Sequence, residues 1–239
     1  NPLNTDNTWN LGRLFRTWDE MHPDAAGRQQ KLRLSVDYYA QAAQLSPHNA
    51  QVFNEWGDTC RLLGNPEQAL LRYSQSLALD QQFAQTYVLM GNLHLQRQQW
   101  GEAAQAYEGA LALEPGSARE WALLAVCYCQ VGNWSRAVEA NLRTLELNPE
   151  DYVALRNLAS CYVQLGEWDG AIQANVKALQ LNARDYATLK NLSLLYNQLG
   201  RPVDALPYAE RALGVAPDQE KGALEAFVLQ LRAQAGKDQ

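Results

Sequence analysis

The chain has 239 residues, of which 47% are hydrophobic, 19% charged and 9% aromatic, a balance too apolar for intrinsic disorder. Its 20 Lys and Arg against 26 Asp and Glu give a formal charge of −6, which argues against a duplex nucleic-acid surface, since that surface needs clustered cations to displace counterions. The longest nearly uncharged apolar run, Trp121 to Val131, is too short to cross a bilayer, so direct membrane insertion of this segment is not expected.

Residues 1–8 (NPLNTDNT) are polar with a proline and read as an irregular lead-in. From Trp9 to Met21, residues Leu11, Leu14, Phe15 and Trp18 recur at i, i+3, i+4 and i+7, which predicts an amphipathic helix. His22-Pro23-Asp24 interrupts it and Gly27 closes a short loop. A second helix follows over about 28–45. Its Ser35, Tyr39, Ala42 and Pro47 fit the second half of the repeat described next, while the helix before it does not fit the register. Residues 1–49 are therefore the lead-in and a degenerate first repeat.

Five regular repeats occupy 50–219, at 50–83, 84–117, 118–151, 152–185 and 186–219. Each reads as two short amphipathic helices. The first helix carries a small residue at Gly57, Gly91, Ala125, Ala159 and Ser193. The second carries Ala69, Ala103, Ala137, Ala171 and Ala205, and a third small series runs through Ser76, Ala110, Thr144, Ala178 and Ala212. Every step is 34 residues. Small residues let paired helices approach closely, with neighbours such as Tyr128, Tyr162 and Tyr196 filling the space between. Gly64, Gly132, Gly166 and Gly200 supply the left-handed turn that ends each first helix. Asn65-Pro66 reads as N-cap and N1, and Ser117 with Glu120 as a capping box. Leu224, Phe227, Val228 and Leu231 form one further helix within 220–239. It covers the exposed face of the last repeat, and Gly236 to Gln239 are expected to fray.

Four cysteines are present, at 60, 127, 129 and 161. Cys127 and Cys161 are one period apart on successive first helices, whose axes at about 8–10 Å exceed the ~7 Å Cα limit for a bridge. All four are expected to be small core residues. Free thiols lean toward a reducing, cytoplasmic compartment. His22, His48 and His94 are scattered, and no HExxH, phosphate loop, GxSxG or GxGxxG is present. The reading is a non-enzyme with no cofactor, no metal and no catalytic residue.

The 34-residue helix–turn–helix pattern resembles the tetratricopeptide repeat family over 50–219, with about half the motif over 28–49. The departure lies in the second helix, where the aromatic position reads Tyr73, Tyr107, Asn141, Asn175 and Ala209. An Asn there either bonds between helices or packs loosely. The resemblance implies an all-α, right-handed α-solenoid, a superhelix whose first helices line a concave groove. Carried over, the family's groove positions give three zones. The first is acidic, with Gln51, Asn54, Glu55, Asp58 and Arg61. The second is apolar, with Val88, Leu89, Asn92, Leu95, Ala122, Leu123 and Val126. The third is basic and amide-rich, with Arg156, Asn157, Ser160, Lys190, Asn191 and Asn197.

Two ladders run through these positions. Gln96, Gln130, Gln164 and Gln198 recur at the thirteenth position. Asn157 and Asn191 recur at the sixth, each preceded by a cation. The Asn pair resembles the asparagine ladder in the repeats of O-linked N-acetylglucosamine transferase, where amides hold a peptide backbone by donating and accepting at once. The competing reading is that both ladders are uncharged surface residues multiplied by duplication. Arg156 and Lys190 together could hold a partner's carboxylate, although no three consecutive repeats complete the family's carboxylate clamp. Trp100, Trp134 and Trp168 recur at the seventeenth position and are expected to pack.

The first functional expectation is thus a protein-binding scaffold that takes a peptide or partner surface in the groove. A second is the soluble tail of a larger enzyme. Asn4-Thr5-Asp6 with Leu11 and Arg13 weakly resembles the segment that joins the last membrane helix of bacterial O-antigen ligase/polymerase-like proteins to a repeat tail, and the start at Asn1 suggests a piece of a longer chain. A third is homo-oligomer formation through the N-terminal helix, should Trp9, Phe15 and Trp18 find no cover.

Overall fold

The computed structural model describes residues 5–21 and 27–236. The interruption at His22-Pro23-Asp24, the last three tail residues and the side chain of Trp18 lie outside the described part. Among the described residues there are thirteen α-helices and no strand. The architecture is an all-α solenoid of helix hairpins.

The chain divides into two compact units between Gly116 and Ser117. The first unit pairs α1 (Thr5–Met21) with α2 (Arg28–Leu45), α3 (Ala50–Leu62) with α4 (Pro66–Leu79), and α5 (Ala84–Gln96) with α6 (Trp100–Leu113). The second pairs α7 (Ala118–Gln130) with α8 (Trp134–Leu147), α9 (Tyr152–Leu165) with α10 (Trp168–Leu181), and α11 (Tyr186–Gln198) with α12 (Pro202–Val215). Helix α13 (Asp218–Ala235) then packs on α12. Val228 and Leu231 are buried there over Ala205 and Ala209 with Phe227 packed alongside, and Leu224 is buried in the neighbouring cluster with Ala212 and Leu189.

Close approach within each hairpin follows from the small residues. A Cβ added to Gly57 would stand 2.6 Å from the Tyr73 ring, and one added to Gly91 2.8 Å from the Tyr107 ring. Helix α1 makes the same contact, because a Cβ on Gly12 would lie 3.1 Å from the Tyr39 ring. The first hairpin therefore follows the pattern of its neighbours. Its register is obscured because α1 runs further past its glycine than α3 does, and the connection to α2 is longer. The lead-in is also shorter than expected: residues 5–8 are helical and Thr8 is buried, with Asp6 in the first turn where a negative charge favours a helix N-terminus.

In the second unit the glycine gains a Cβ and the ring shrinks, giving Ala125 with Asn141, Ala159 with Asn175, and Ser193 with Ala209. Asn141 and Asn175 each donate Nδ2 to the carbonyl four residues back, Ala137 and Ala171, at 2.8 Å. The expected bond between helices does not form, since each amide bonds within its own helix, as short polar side chains do.

The turn glycines behave as expected, with φ between 68 and 74° at Gly64, Gly132, Gly166 and Gly200. In the repeat 84–117 the same place is held by Gln98 at φ 57°. The caps differ. Ser117 makes no side-chain cap, so the box with Glu120 does not form, and Asn65 caps only by position ahead of Pro66. The side-chain caps that do form include Asp151 on the Ala154 amide at 2.9 Å and Asp185 on the Thr188 amide at 2.8 Å, with Asn49 and Asn133 capping α3 and α8.

The cysteines need one correction. Cys60 and Cys127 are buried core residues, but Cys129 is half-exposed and its sulfur lies 3.2 Å from that of Cys161. The expectation that kept the thiols apart compared positions one full period apart. Cys129 and Cys161 differ by 32 positions, and that offset turns the two side chains toward each other across α7 and α9.

Candidate functional site

The acidic zone of the first unit is sealed from within. Glu55 is buried and accepts from Trp9 Nε1 at 2.9 Å, from the Tyr39 hydroxyl at 3.0 Å and from Gln51 Nε2 at 3.1 Å, with Arg13 at 3.6 Å. Asp58 is held by Arg16 at 2.9 Å and by Nε and Nη2 of Arg61. Asn54 accepts from Thr86 at 2.8 Å. Burial and the Glu55 charge push the Tyr39 phenol well above its ordinary range. The expected groove zone is thus an internal ion and hydrogen-bond network built with α1. Trp9 packs against the core beside it, and Phe15 stacks on Tyr38 at 5.7 Å. Two of the three aromatics invoked for self-association are covered within the chain.

Asn92, also in the first unit, is half-buried and accepts the Tyr107 hydroxyl at 2.8 Å. Its amide oxygen is spent on packing. Leu123 and Val126 on α7 are half-buried, and Gln130 at the end of that helix is exposed.

Of the remaining candidates, Gln164, Asn191 and Gln198 come together in the second unit, while Asn157 does not line the cavity they share. Ser160, Val163 and Gln164 from α9 face Asn191, Leu194 and Gln198 from α11 around a cavity of about 250 Å³, with Ala159, Asn175 and Leu195 as its floor. The replacement of a tyrosine by Asn175 contributes to this space. The site is amphipathic. Gln164, Asn191 and Gln198 are exposed and Asn157 is half-buried; none hydrogen-bonds to another described residue, so their donors and acceptors are unspent. Sequence reasoning named these amides. It missed Val163, Leu194 and Asn175, because a floor between two hairpins is visible only once the helices are packed.

The two cations are not free. Lys190 pairs with Glu220 of α13, which also accepts from the Tyr186 hydroxyl at 2.6 Å. The hydrogen bond to Glu220 raises the Lys190 ammonium, and the bond from Lys190 followed by that from Tyr186 lowers the Glu220 carboxyl. Arg156 lies 4.0 Å from Asp185 and over the Tyr152 ring at 5.7 Å. The carboxylate expected from a partner is already supplied to each cation by this chain. Trp168, from the tryptophan row, packs on the core as expected.

Comparison with known proteins bears on the fold. Residues 96–178 match the family model described as anaphase-promoting complex, cyclosome, subunit 3. A solved structure described as YrrB, a TPR protein with an unusual peptide-binding site, superimposes with a TM-score of 0.67 at 21% identity, covering 80% of this chain and 98% of that one. The fold is that of the tetratricopeptide repeat. A structure of MamA aligns with a TM-score of 0.60 at 24% identity over 70% of this chain and 96% of the other. MamA 41-end from Desulfovibrio magneticus RS-1 gives 0.56 at 19% identity, over 74% and 97%. No curated protein sequence matches. Neither the family match nor these structures carry the membrane-ligase resemblance of the opening residues. No described helix is long and apolar enough to cross a membrane.

Proposed function

We propose that this chain is a non-catalytic protein-interaction module that takes an extended peptide across α9 and α11. One observation carries the reading: Gln164, Asn191 and Gln198, with unspent amides, ring a cavity lined by Val163 and Leu194 and floored by Ala159, Asn175 and Leu195. A side-chain amide donates and accepts at once, so a row of them suits a peptide backbone of varied sequence. The apolar floor then accepts one side chain. The neighbour described as having a peptide-binding site supports the same reading.

Binding to an unbiased peptide array provides the test, followed by titration of the best peptide by calorimetry. Asn157→Ala with Asn191→Ala is expected to weaken that peptide by about 1–3 kcal/mol, the cost of unmade hydrogen bonds, with Tm nearly unchanged because both side chains make no internal bond. Unchanged affinity would remove the amides from the mechanism. Attention would then pass to the second apolar cavity of this unit, about 320 Å³ between Leu142, Leu145, Leu158 and Tyr162.

A further inference from the structure

The sulfur pair of the second unit has no role in peptide capture as described. Cys129 lies in the last turn of α7 and Cys161 in the second half of α9, with Sγ to Sγ at 3.2 Å, closer than two non-bonded sulfurs ordinarily rest. The two differ in access: Cys129 is half-exposed, whereas Cys161 is fully buried. Both lie on first helices of consecutive repeats within one compact unit.

We propose that Cys129 and Cys161 form a redox-active dithiol, oxidised by a peroxide to an intramolecular disulfide that staples α7 to α9. The half-exposed Cys129 thiolate attacks the peroxide. An S–O bond forms, the O–O bond breaks, and the departing oxygen leaves as water after protonation. The Cys161 sulfur then attacks the Cys129 sulfenic acid. The S–S bond forms, the S–O bond breaks, and the hydroxyl leaves with the Cys161 proton as a second water. Two thiols and one hydrogen peroxide thus give one disulfide and two waters, with the two electrons lost by sulfur taken up by the peroxide oxygens.

The local electrostatics support this division of roles. A hydrogen bond with Cys161 lowers the Cys129 thiol below its ordinary range, while the same bond and burial raise Cys161. The attacking sulfur is therefore the accessible one, as thiolate chemistry requires. Cys127, desolvated and raised to about 11, and the buried Cys60 are poor competitors. The staple would fix the spacing of the helices that carry Val126 and Ser160.

The test uses the whole reduced chain, treated with hydrogen peroxide, alkylated and mapped by mass spectrometry. The wild type and a Cys60→Ser/Cys127→Ser variant should each lose two hydrogens, yield a linked Cys129–Cys161 peptide, show a raised Tm, and revert with dithiothreitol. Cys161→Ser should instead leave Cys129 as a sulfenic acid trapped by dimedone, and Cys129→Ser should leave Cys161 unoxidised. The proposal is overturned if the wild type accumulates sulfenic or sulfinic Cys129 without the link. Linkage of any other pair, or linkage only between chains, overturns it equally.

Discussion

Gln98 holds a place where four of the five regular repeats use glycine, and its φ of 57° puts a Cβ in the left-handed region at about 1–2 kcal/mol. Gln98→Gly relieves that strain but adds backbone freedom to the unfolded chain. A net gain of about 0.5–1 kcal/mol is expected in urea titration, and a loss would show that the Gln98 side chain holds this turn. Asp185 is a different kind of single-residue device. Burial raises its carboxyl, yet the hydroxyl and amide of Thr188, with Tyr152 and Arg156, outweigh burial and leave it below its ordinary value. A depressed folded pKa means that the contribution is present above the unfolded value of about 3.9 and is lost as pH falls through the folded one. Asp185→Ala is expected to cost about 1 kcal/mol at neutral pH. The gap between variant and wild type should close in acid, which thermal melts across that pH range will check.

At the scale of helices, the hairpins of the first unit depend on glycine meeting a tyrosine face. Gly57→Ala would drive a methyl to 2.6 Å from the Tyr73 ring, and overpacking of this kind costs about 1–3 kcal/mol. Gly101, on the first turn of α6, has nothing within 4 Å of an added Cβ, so Gly101→Ala should be neutral or stabilising by up to about 1 kcal/mol. Paired denaturation curves separate the two cases, and equal effects would mean that the Gly57 contact is not rigid. The second unit pairs its helices differently, with alanine opposite asparagine in two hairpins and Ser193 opposite Ala209 in the third. That exchange trades a buried ring for a small cavity beside α9, which is where the unspent amides gather. Helix α13 adds a second layer, since its Glu220 holds Lys190 and thereby sets the charge at one edge of the candidate site.

At the scale of the whole molecule, the hairpins within each unit contact mainly their sequence neighbours, so stability is expected to be local and nearest-neighbour in character. Removing residues 218–239 would uncover Ala205 and Ala209 and take away Val228 and Leu231. Hydrogen exchange should then quicken in α11 and α12 while α3 and α4 keep their protection. Uniform loss of protection would instead show the chain to be one cooperative body.

Much of this was legible without coordinates. The three in-phase small-residue series required close helix pairs at a fixed period, the glycines required left-handed turns, and the apolar stripe after Pro217 required a covering helix. These are local demands of backbone and periodicity, and they depend only on residues a few positions apart. The opening hairpin was legible only as a degenerate repeat because Gly12 is out of phase, though its contact with the Tyr39 ring is of the same kind as in its neighbours. The fate of individual polar groups was decided by tertiary packing. Glu55 and Asp58 turned inward to α1, Lys190 was taken by Glu220 and Asn92 by Tyr107, while Asn157, Asn191, Gln164 and Gln198 were left unspent. Cys129 met Cys161 because two helices pack with a two-residue offset. Periodicity places a side chain on a face, but only the neighbouring helix determines which hydrogen bonds and which sulfur it finds there.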